Sequence, residues 1–344
     1  MLFNLKLIFS MKLFTKGFFG VIFSVLTVVS CQKDVVVPDS PSVQAQSDYF
    51  TVENSRIVFG SANDFKSQIQ SLRKLSTDEL STWNEKIKVQ SLFEVSQEKE
   101  ALTNTNGRLS ANDEEELNEI VNDKHFASIL NSDGEFVIGK QVIRVTPNIV
   151  FIGNKSLATQ IRQMDPKKYA DLAVNKHIVD QGVIVGRVSH LPAKSANARV
   201  SFNGVDHTIF DWDGSHRTAT VIYNDNWLVY RSIGTKVKFQ NKRWWGGWWE
   251  DNTDALHMDY GVTYDVSRVT GFSQFITVTP PPRFCQDCGN ITDTIDFDVA
   301  EIGFIGDTPG GNLITDPYDF TTFNTNSYSV WRGNWHFDNL QVTK

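Results

Sequence analysis

The chain has 344 residues, of which 40% are hydrophobic and 12% aromatic, and its formal net charge at pH 7 is −7. A chain this rich in apolar residues can bury a core, so its composition excludes a disordered extracellular stalk. Its negative charge disfavours nucleic acid and anionic lipid headgroups as partners, and we expect no nucleic-acid partner.

Residues 1–30 have the pattern of a lipoprotein signal peptide. Three lysines precede an apolar run that ends in Val28-Val29-Ser30-Cys31. The run is shorter than the ~20 apolar residues that a lasting membrane span needs. We therefore expect cleavage before Cys31 and acylation of its thiol, which would hold the protein on a membrane outside the cytoplasm. An uncleaved anchor helix is the alternative.

Residues 31–48 are predicted to form a flexible lipidated tether, because they are rich in Ser, Pro, Gln and Asp and have no sustained apolar period. Gln32-Lys33-Asp34 resembles the short lysine-plus-acid signal that moves Bacteroidetes lipoproteins to the outer face of the outer membrane. We therefore expect a lipid-anchored outer-membrane protein at the cell surface.

Residues 49–180 are predicted to form an α+β domain. Apolar and polar residues alternate in a short strand, and helical spacing then recurs. A two-residue loop at Gly139-Lys140 predicts a hairpin with Val137 opposite Val142, Phe136 opposite Ile143 and Glu135 opposite Arg144. The other predicted elements are a strand over 49–59, a helix capped by Asn63, a helix that begins at 76–79, and helices over 115–131 and 157–174.

Residues 181–344 have short apolar runs separated by turn residues such as Asn203-Gly204 and Asp213-Gly214. This pattern predicts a β-rich domain, a sandwich or a barrel. The expected fold class is therefore α+β, with a helical and hairpin N-terminal domain followed by an all-β, sandwich- or barrel-like domain.

Two blocks of sequence resemble a family of uncharacterised Bacteroidetes surface lipoproteins. The first block runs from His125 through Gly134-Glu135-Phe136 to Thr146, and the second runs from Trp227 to Trp249. The resemblance covers about a quarter of the chain and implies the same cellular location and architecture. It implies no activity.

Cys285-Gln286-Asp287-Cys288 has the spacing of half a zinc site or of a redox pair. A zinc site needs four ligands, and the histidines are scattered singly. A redox pair needs its first cysteine at a helix N-terminus, whereas this pair precedes strand-like sequence. We predict a local disulfide between Cys285 and Cys288, no metal site and no cofactor.

The carboxylates near residue 295 are the main candidates for calcium binding or for glycosidase chemistry. Asp296 and Asp298 alternate with Ile295, Phe297 and Val299, a pattern that favours an ordinary solvated strand face. No metalloprotease, phosphate-loop or dinucleotide motif is present. We assign no catalytic residue, and lean against an enzyme.

The segment 242–251 is predicted to be a hairpin closed by Gly246-Gly247, since paired glycines tolerate a tight turn. This register places Trp245 opposite Trp248 on one sheet face and Trp244 opposite Trp249 on the other. One pair would be core and the other a stacking platform for a sugar. Covering of both pairs by other parts of the chain is the alternative.

These features predict a membrane-anchored, non-catalytic binding module with an aromatic surface, for which carbohydrate is the expected ligand. The alternatives are a hydrolase that acts on glycan or peptide, and a structural or accessory envelope lipoprotein. A flat aromatic strip would favour the binding module. A cleft with two carboxyl groups about 5 to 9 Å apart would favour a glycosidase, and a broad apolar patch would favour the accessory protein.

Overall fold

The computed structural model describes residues 49–97, 121–172, 177–190, 200–202, 205–242, 248–265, 274–305, 308–314 and 318–343. The chain divides into two units, Met1–Ser42 and Val43–Lys344, and the described residues belong to the second. The predicted signal peptide and tether, residues 1–48, lie outside the described residues. Within the described ranges, no helix has both the length and the apolar character needed to cross a membrane.

The first sheet is built from the N-terminal half of this unit. It has seven strands: β1 (Phe50–Glu53), β2 (Arg56–Phe59), β3 (Glu135–Ile138), β4 (Gln141–Val145), β5 (Ile149–Asn154), β6 (His177–Asp180) and β7 (Val183–Arg187). Their order is β1-β2-β3-β4-β5-β7-β6. Neighbouring strands are antiparallel except β2 and β3, which run parallel with Val58 opposite Val137.

Two local turns decide how this sheet begins. Asn54 and Ser55 have φ values of 51° and 58°, the left-handed values of a two-residue hairpin turn. The predicted single strand over 49–59 is therefore wrong, because the chain reverses there and forms β1 and β2. The hairpin of β3 and β4 is confirmed in the predicted register, with Gly139 at φ 58° in its turn.

Four α-helices lie wholly within the described residues, and a further helix is described over residues 92–97. The four are α1 (Ala62–Leu72), α2 (Thr77–Ile87), α3 (Lys124–Ile129) and α4 (Ala158–Gln163). Helix α1 is capped by Ser61, whose hydroxyl accepts a hydrogen bond from the Asp64 amide, and not by Asn63 as predicted. Helix α2 begins where predicted, at a capping box in which Ser76 and Glu79 each bond the other's backbone.

The predicted helix over 157–174 is wrong because the helix ends at Gln163 and the backbone is extended before Pro166. Met164 and Asp165 are extended, and Pro166 starts a separate 3-10 turn, Pro166–Tyr169. A proline disfavours helical backbone at the residue before it. Of the predicted helix over 115–131, the residues before 121 lie outside the described part, and α3 is the piece observed.

The second half of the chain forms a central sheet and a third sheet, with one separate two-stranded ribbon. The central sheet contains β8 (Ser189–His190), β9 (Val200–Phe202), β10 (Val205–Asp211), β11 (His216–Asn226), β12 (Tyr230–Lys242), β13 (Trp248–Glu250) and β17 (Asn290–Val299). The third sheet contains β14 (Thr253–Asp265), β15 (Phe275–Val278), β16 (Arg283–Cys288), β20 (Thr322–Trp331) and β21 (Asn334–Thr343). The ribbon is β18 (Glu301–Ile305) with β19 (Thr308–Asn312).

Three hydrophobic cores bind these layers together. One face of the first sheet packs with α4 and the turn at Tyr169. Its other face packs with α1, α2 and α3, and this core also contains Trp227, Tyr230 and Phe297 of the central-sheet region. A third core lies between the central and third sheets, where Phe239 and Met258 are fully buried. The outer face of the third sheet is left without a covering layer among the described residues.

The predicted fold class is wrong. The described chain is mostly β, its sheets begin at residue 50, and its helices are few and short, so no helical N-terminal domain is found there. The error arose because the proline-broken segment was taken for one long helix and because the strands β5 and β6 were not predicted. The first sheet also continues to Arg187, and its core includes residues from beyond 220.

Candidate functional site

The predicted site residues fall into three groups. Cys31, Trp244 and Trp245 lie outside the described residues. Trp248 and Trp249 lie in β13, and Cys285 and Cys288 lie in β16. Among the described residues, no group of three or more His, Cys, Asp or Glu side chains could hold a metal ion.

The pairing of β13 differs from the predicted tryptophan register. Trp248 lies opposite Lys242 and Trp249 opposite Asn241, so neither of these tryptophans has the strand partner that the prediction gave it. The predicted partners, Trp245 and Trp244, lie outside the described residues. The guanidinium of Arg217 lies 4.3 Å from the centre of the Trp248 ring, and the Lys242 ammonium lies 5.8 Å from it. Two cations thus contact this ring.

The structure joins Cys285 and Cys288 in a disulfide within β16. The intervening Asp287 has a φ of 50°, so the backbone bends locally between the two cysteines. Both cysteines are partly buried against the core between the central and third sheets. The bridge spans a sequence separation of only 3 residues, so it constrains little of the unfolded chain.

An exposed aromatic strip crosses the outer face of the third sheet. The strip consists of Phe284 on β16, His257 on β14, Tyr328 on β20, and Trp335 and Phe337 on β21. Strand register places Phe284 opposite His257, His257 opposite Tyr328, and Tyr328 opposite Phe337, so four rings lie in one line across four strands. Neighbouring strands are ~4.8 Å apart, so the line spans about 14 Å.

The rings of the aromatic strip support one another and yet remain accessible. His257 and Tyr328 stack with ring centres 4.6 Å apart, and Trp335 lies 5.2 Å from Tyr328. Trp335 and Phe337 are nearly parallel, with centres 6.1 Å apart. Phe284, Trp335 and Phe337 are 54%, 59% and 69% exposed. Large apolar side chains are this exposed together mainly at binding surfaces.

Polar side chains continue the same face beyond the aromatic strip. Asp259, Asn326 and Asn339 lie opposite one another in the next outward-facing row, and Asn324 and Gln341 lie in the row after it. The Asn339 amide donates to the Asn326 carbonyl oxygen at 2.5 Å. These two polar rows stand ~7 Å apart along the strands, which is the repeat of residues on one strand face.

Sequence reasoning missed the aromatic strip because its members are scattered from residue 257 to residue 337. The signal that could have found it is local to β21, where Trp335 and Phe337 alternate with His336. In a strand with one buried face, that alternation places two large rings on one face. The same strand buries Leu340 and Val342 on the opposite face, so the rings point outward.

The candidate carboxylates of β17 have different environments. Asp293 is buried, and its carboxylate accepts hydrogen bonds from Arg283 at 2.7 Å and from Tyr260. Asp298 is paired with Arg231 at 3.1 Å, while burial raises the pKa of Asp296. The predicted alternation is interrupted by a β-bulge at Ile295, which packs towards the third sheet while Phe297 packs towards the helices.

A buried polar cluster links α3 to the central sheet. Asp123 caps α3 by accepting from the backbone amides of His125 and Phe126, and it also accepts from the His125 ring at 3.2 Å and from the Tyr230 hydroxyl at 2.5 Å. Burial alone would raise the pKa of Asp123, but His125 and Tyr230 outweigh it, so the pKa is held well below the ordinary value. Burial lowers the pKa of His125 and so opposes protonation of its imidazole.

A second buried charge lies under the first sheet. The carboxylate of Glu135 is fully buried and contacts Arg56 Nε at 2.6 Å and Arg162 Nη2 at 2.6 Å. Burial opposes its ionisation, but the two arginines lower the pKa of Glu135 overall. Asp123 and Glu135 are fully buried and their carboxylates are bonded within the protein, so we assign structural roles to both clusters.

Comparison with known proteins finds similar solved structures but no matching family model. The chain matches no protein-family model and no curated protein. Among solved structures it is similar to a DUF4848 family protein from Bacteroides thetaiotaomicron, with 13% sequence identity and a TM-score of 0.22. That match covers 85% of this chain and 98% of the other. The neighbour belongs to an uncharacterised Bacteroidetes family, and a likeness at this level carries no argument about activity.

Proposed function

We propose that this protein is a lipid-anchored, non-catalytic lipoprotein of the outer membrane that binds carbohydrate at the cell surface. The observation that supports the ligand is the exposed aromatic strip on the third sheet. The C–H faces of a sugar are apolar while its rim is hydroxylated. An open row of rings bordered by polar side chains offers matching surfaces for both.

The lipid anchor rests on the N-terminal pattern, with Cys31 as the acyl acceptor. We expect Cys31→Ser to yield an unlipidated precursor that is not anchored, because the thiol is the only acyl acceptor at the cleavage site. Metabolic labelling with a fatty-acid analogue measures this directly. Equal labelling of the variant and the wild-type protein would rule out the lipoprotein assignment.

The aromatic strip has a direct mutational test. The double variant Trp335→Ala/Phe337→Ala should no longer bind the glycans of an array that wild type binds, because it removes the two most exposed rings of the strip. Its stability should change little, since exposed side chains contribute little to the core. Binding by the variant equal to that of wild type would contradict the proposed site.

A matched control comes from the same sheet. Phe275 and Ile276 of β15 are also exposed, at 58% and 45%. Phe275 lies opposite Asp265, which is eight residues along β14 from His257, or about 26 Å. The double variant Phe275→Ala/Ile276→Ala removes comparable apolar surface and should bind glycan as wild type does. Loss of binding in both double variants would indicate nonspecific adhesion.

The tryptophans of the 244–249 segment remain a second proposed ligand surface. The support for it is the contact of the Trp248 ring with Arg217 and Lys242, since paired cations beside an aromatic ring suit an acidic sugar. Testing this surface separately requires Trp248→Ala in the presence of an intact aromatic strip. It should leave binding of neutral glycans unchanged.

A further inference from the structure

We infer that the ligand of the aromatic strip is an uncharged, hydroxyl-rich glycan chain that lies across the strands, with its rings on the strip and its hydroxyls bound by the polar rows. This inference rests on the proposed function and specifies its ligand class. It depends on the direction of the strip, on the chemistry of the neighbouring side chains and on the charge of the sheet.

The direction of the bound glycan chain follows from the register of the strands. Phe284, His257, Tyr328 and Phe337 are directly opposed on successive strands, so the apolar line runs perpendicular to the strands. The rings stand on an open sheet face, and three of the five are more than half exposed. An open line of this kind supports the interior of an extended chain, whereas recognition of a chain end requires walls that enclose it.

The polar rows have the chemistry to bind hydroxyl groups. A carboxylate accepts hydrogen bonds, and a side-chain amide both donates and accepts them. Asp259, Asn326 and Asn339 provide one carboxylate and two amides side by side on three strands. The row lies ~7 Å from the aromatic strip, close enough for one sugar chain to contact both.

The charged side chains of the third sheet disfavour an acidic glycan. Its five strands, as described, contain no lysine, and their one arginine, Arg283, is bound to Asp293. Asp259 places an acidic side chain in the first polar row. The turn between β20 and β21 contains Arg332, whose guanidinium lies 4.3 Å from the centre of the Trp331 ring, which packs against the core between the central and third sheets. A uronic or sulfated sugar beside the first polar row would meet the Asp259 carboxylate, and such a like-charge contact is unfavourable.

The test uses neutral polysaccharides and their carboxylated forms. Affinity electrophoresis of the body, residues 49–344, through gels of soluble starch or hydroxyethyl cellulose should retard wild type with at least one of them. In the Trp248→Ala background, which removes the second proposed surface, gels of carboxymethyl starch or carboxymethyl cellulose should retard the protein at least about tenfold less than the neutral gels do. Asn326→Ala/Asn339→Ala should weaken neutral binding about tenfold, the effect of losing one or two hydrogen bonds. Asp259→Asn should recover part of the binding to the carboxylated forms.

The outcomes separate the ligand class from the function. The inference would be overturned if Trp248→Ala protein bound carboxymethylated polymers as well as neutral ones, or if the amide variants bound as wild type does. In either case the aromatic variant still tests glycan binding. The proposed function itself fails if no polymer retards wild type or if Trp335→Ala/Phe337→Ala has no effect. Wild type is also tested for sedimentation with phosphatidylcholine vesicles. If it sediments and the Trp335→Ala/Phe337→Ala variant does not, the strip binds lipid, and both the inference and the proposed function are overturned.

Discussion

Replacing Asp123 with alanine is expected to destabilise the protein by about 3–5 kcal/mol, because this one carboxylate serves four buried donors. The change removes the cap of α3 and leaves the His125 ring and the Tyr230 hydroxyl without their acceptor. Each buried polar group left unsatisfied costs about 1–3 kcal/mol. Denaturant unfolding of the body, followed by tryptophan fluorescence, measures the difference.

Two variants separate the contributions within this cluster. Asp123→Asn keeps the size and an oxygen acceptor for the cap, so it should lose clearly less stability than Asp123→Ala.

The cluster also makes the stability of the protein sensitive to acid. The folded pKa of His125 is lowered by burial, so its contribution to stability is complete above the ordinary histidine pKa of about 6.5 and declines as the pH falls below it.

The contribution of Asp123 to stability also declines as the pH falls, but at a lower pH, because the folded pKa of this carboxyl is lowered too. His125→Gln removes the histidine contribution alone. It should therefore lose less stability than wild type between about pH 7.5 and about pH 5, although it starts from a lower value. Parallel curves for His125→Gln and wild type would show that the imidazole does not resist protonation.

Glu135→Ala is expected to cost about 3 kcal/mol, the lower end of the range for breaking a buried ion pair. The lower end applies because only one partner, Arg56, is buried, whereas the Arg162 side chain is 48% exposed and solvent can replace its contact. Thermal unfolding of the variant beside wild type measures the loss. It should appear as a lower transition temperature.

Asp133→Ala is the matched control for this prediction. Asp133 also contacts Arg162, at 3.6 Å, but both side chains are about half exposed. An exposed pair of this kind contributes about 0–1 kcal/mol. Equal stability of the Asp133→Ala and Glu135→Ala variants would show that the buried Glu135 carboxylate does not hold β3 to β2 and α4.

The parts of the fold that sequence predicted are those fixed by neighbouring residues. The β3/β4 register follows from a two-residue loop, and the start of α2 follows from the reciprocal hydrogen bonds of Ser76 and Glu79. Predictions failed where a short stretch was compatible with two structures. Residues 49–59 alternate as one strand would, but Asn54 and Ser55 adopt left-handed backbone and reverse the chain.

The candidate site was less accessible to sequence reasoning than the fold. Four tryptophans within six residues attracted the prediction, yet the pairing of β13 places Trp248 opposite Lys242. The aromatic strip depends on pairing between strands that are far apart in sequence, such as His257 with Tyr328. Such pairing is set by the packing of the whole sheet, and the local pattern of β21 indicates only that Trp335 and Phe337 share a face.

The parallel contact between β2 and β3 has a consequence for the order in which the molecule folds. Val58 and Val137 are direct neighbours in the sheet although 79 residues separate them in the chain. Closing a loop of that length costs about 4 kcal/mol of chain entropy before any contact compensates for it. The β3/β4 and β4/β5 hairpins close far shorter loops and can assemble first. The β1/β2 hairpin would then join last, leaving one edge of β3 open for hydrogen bonding to other chains until it arrives.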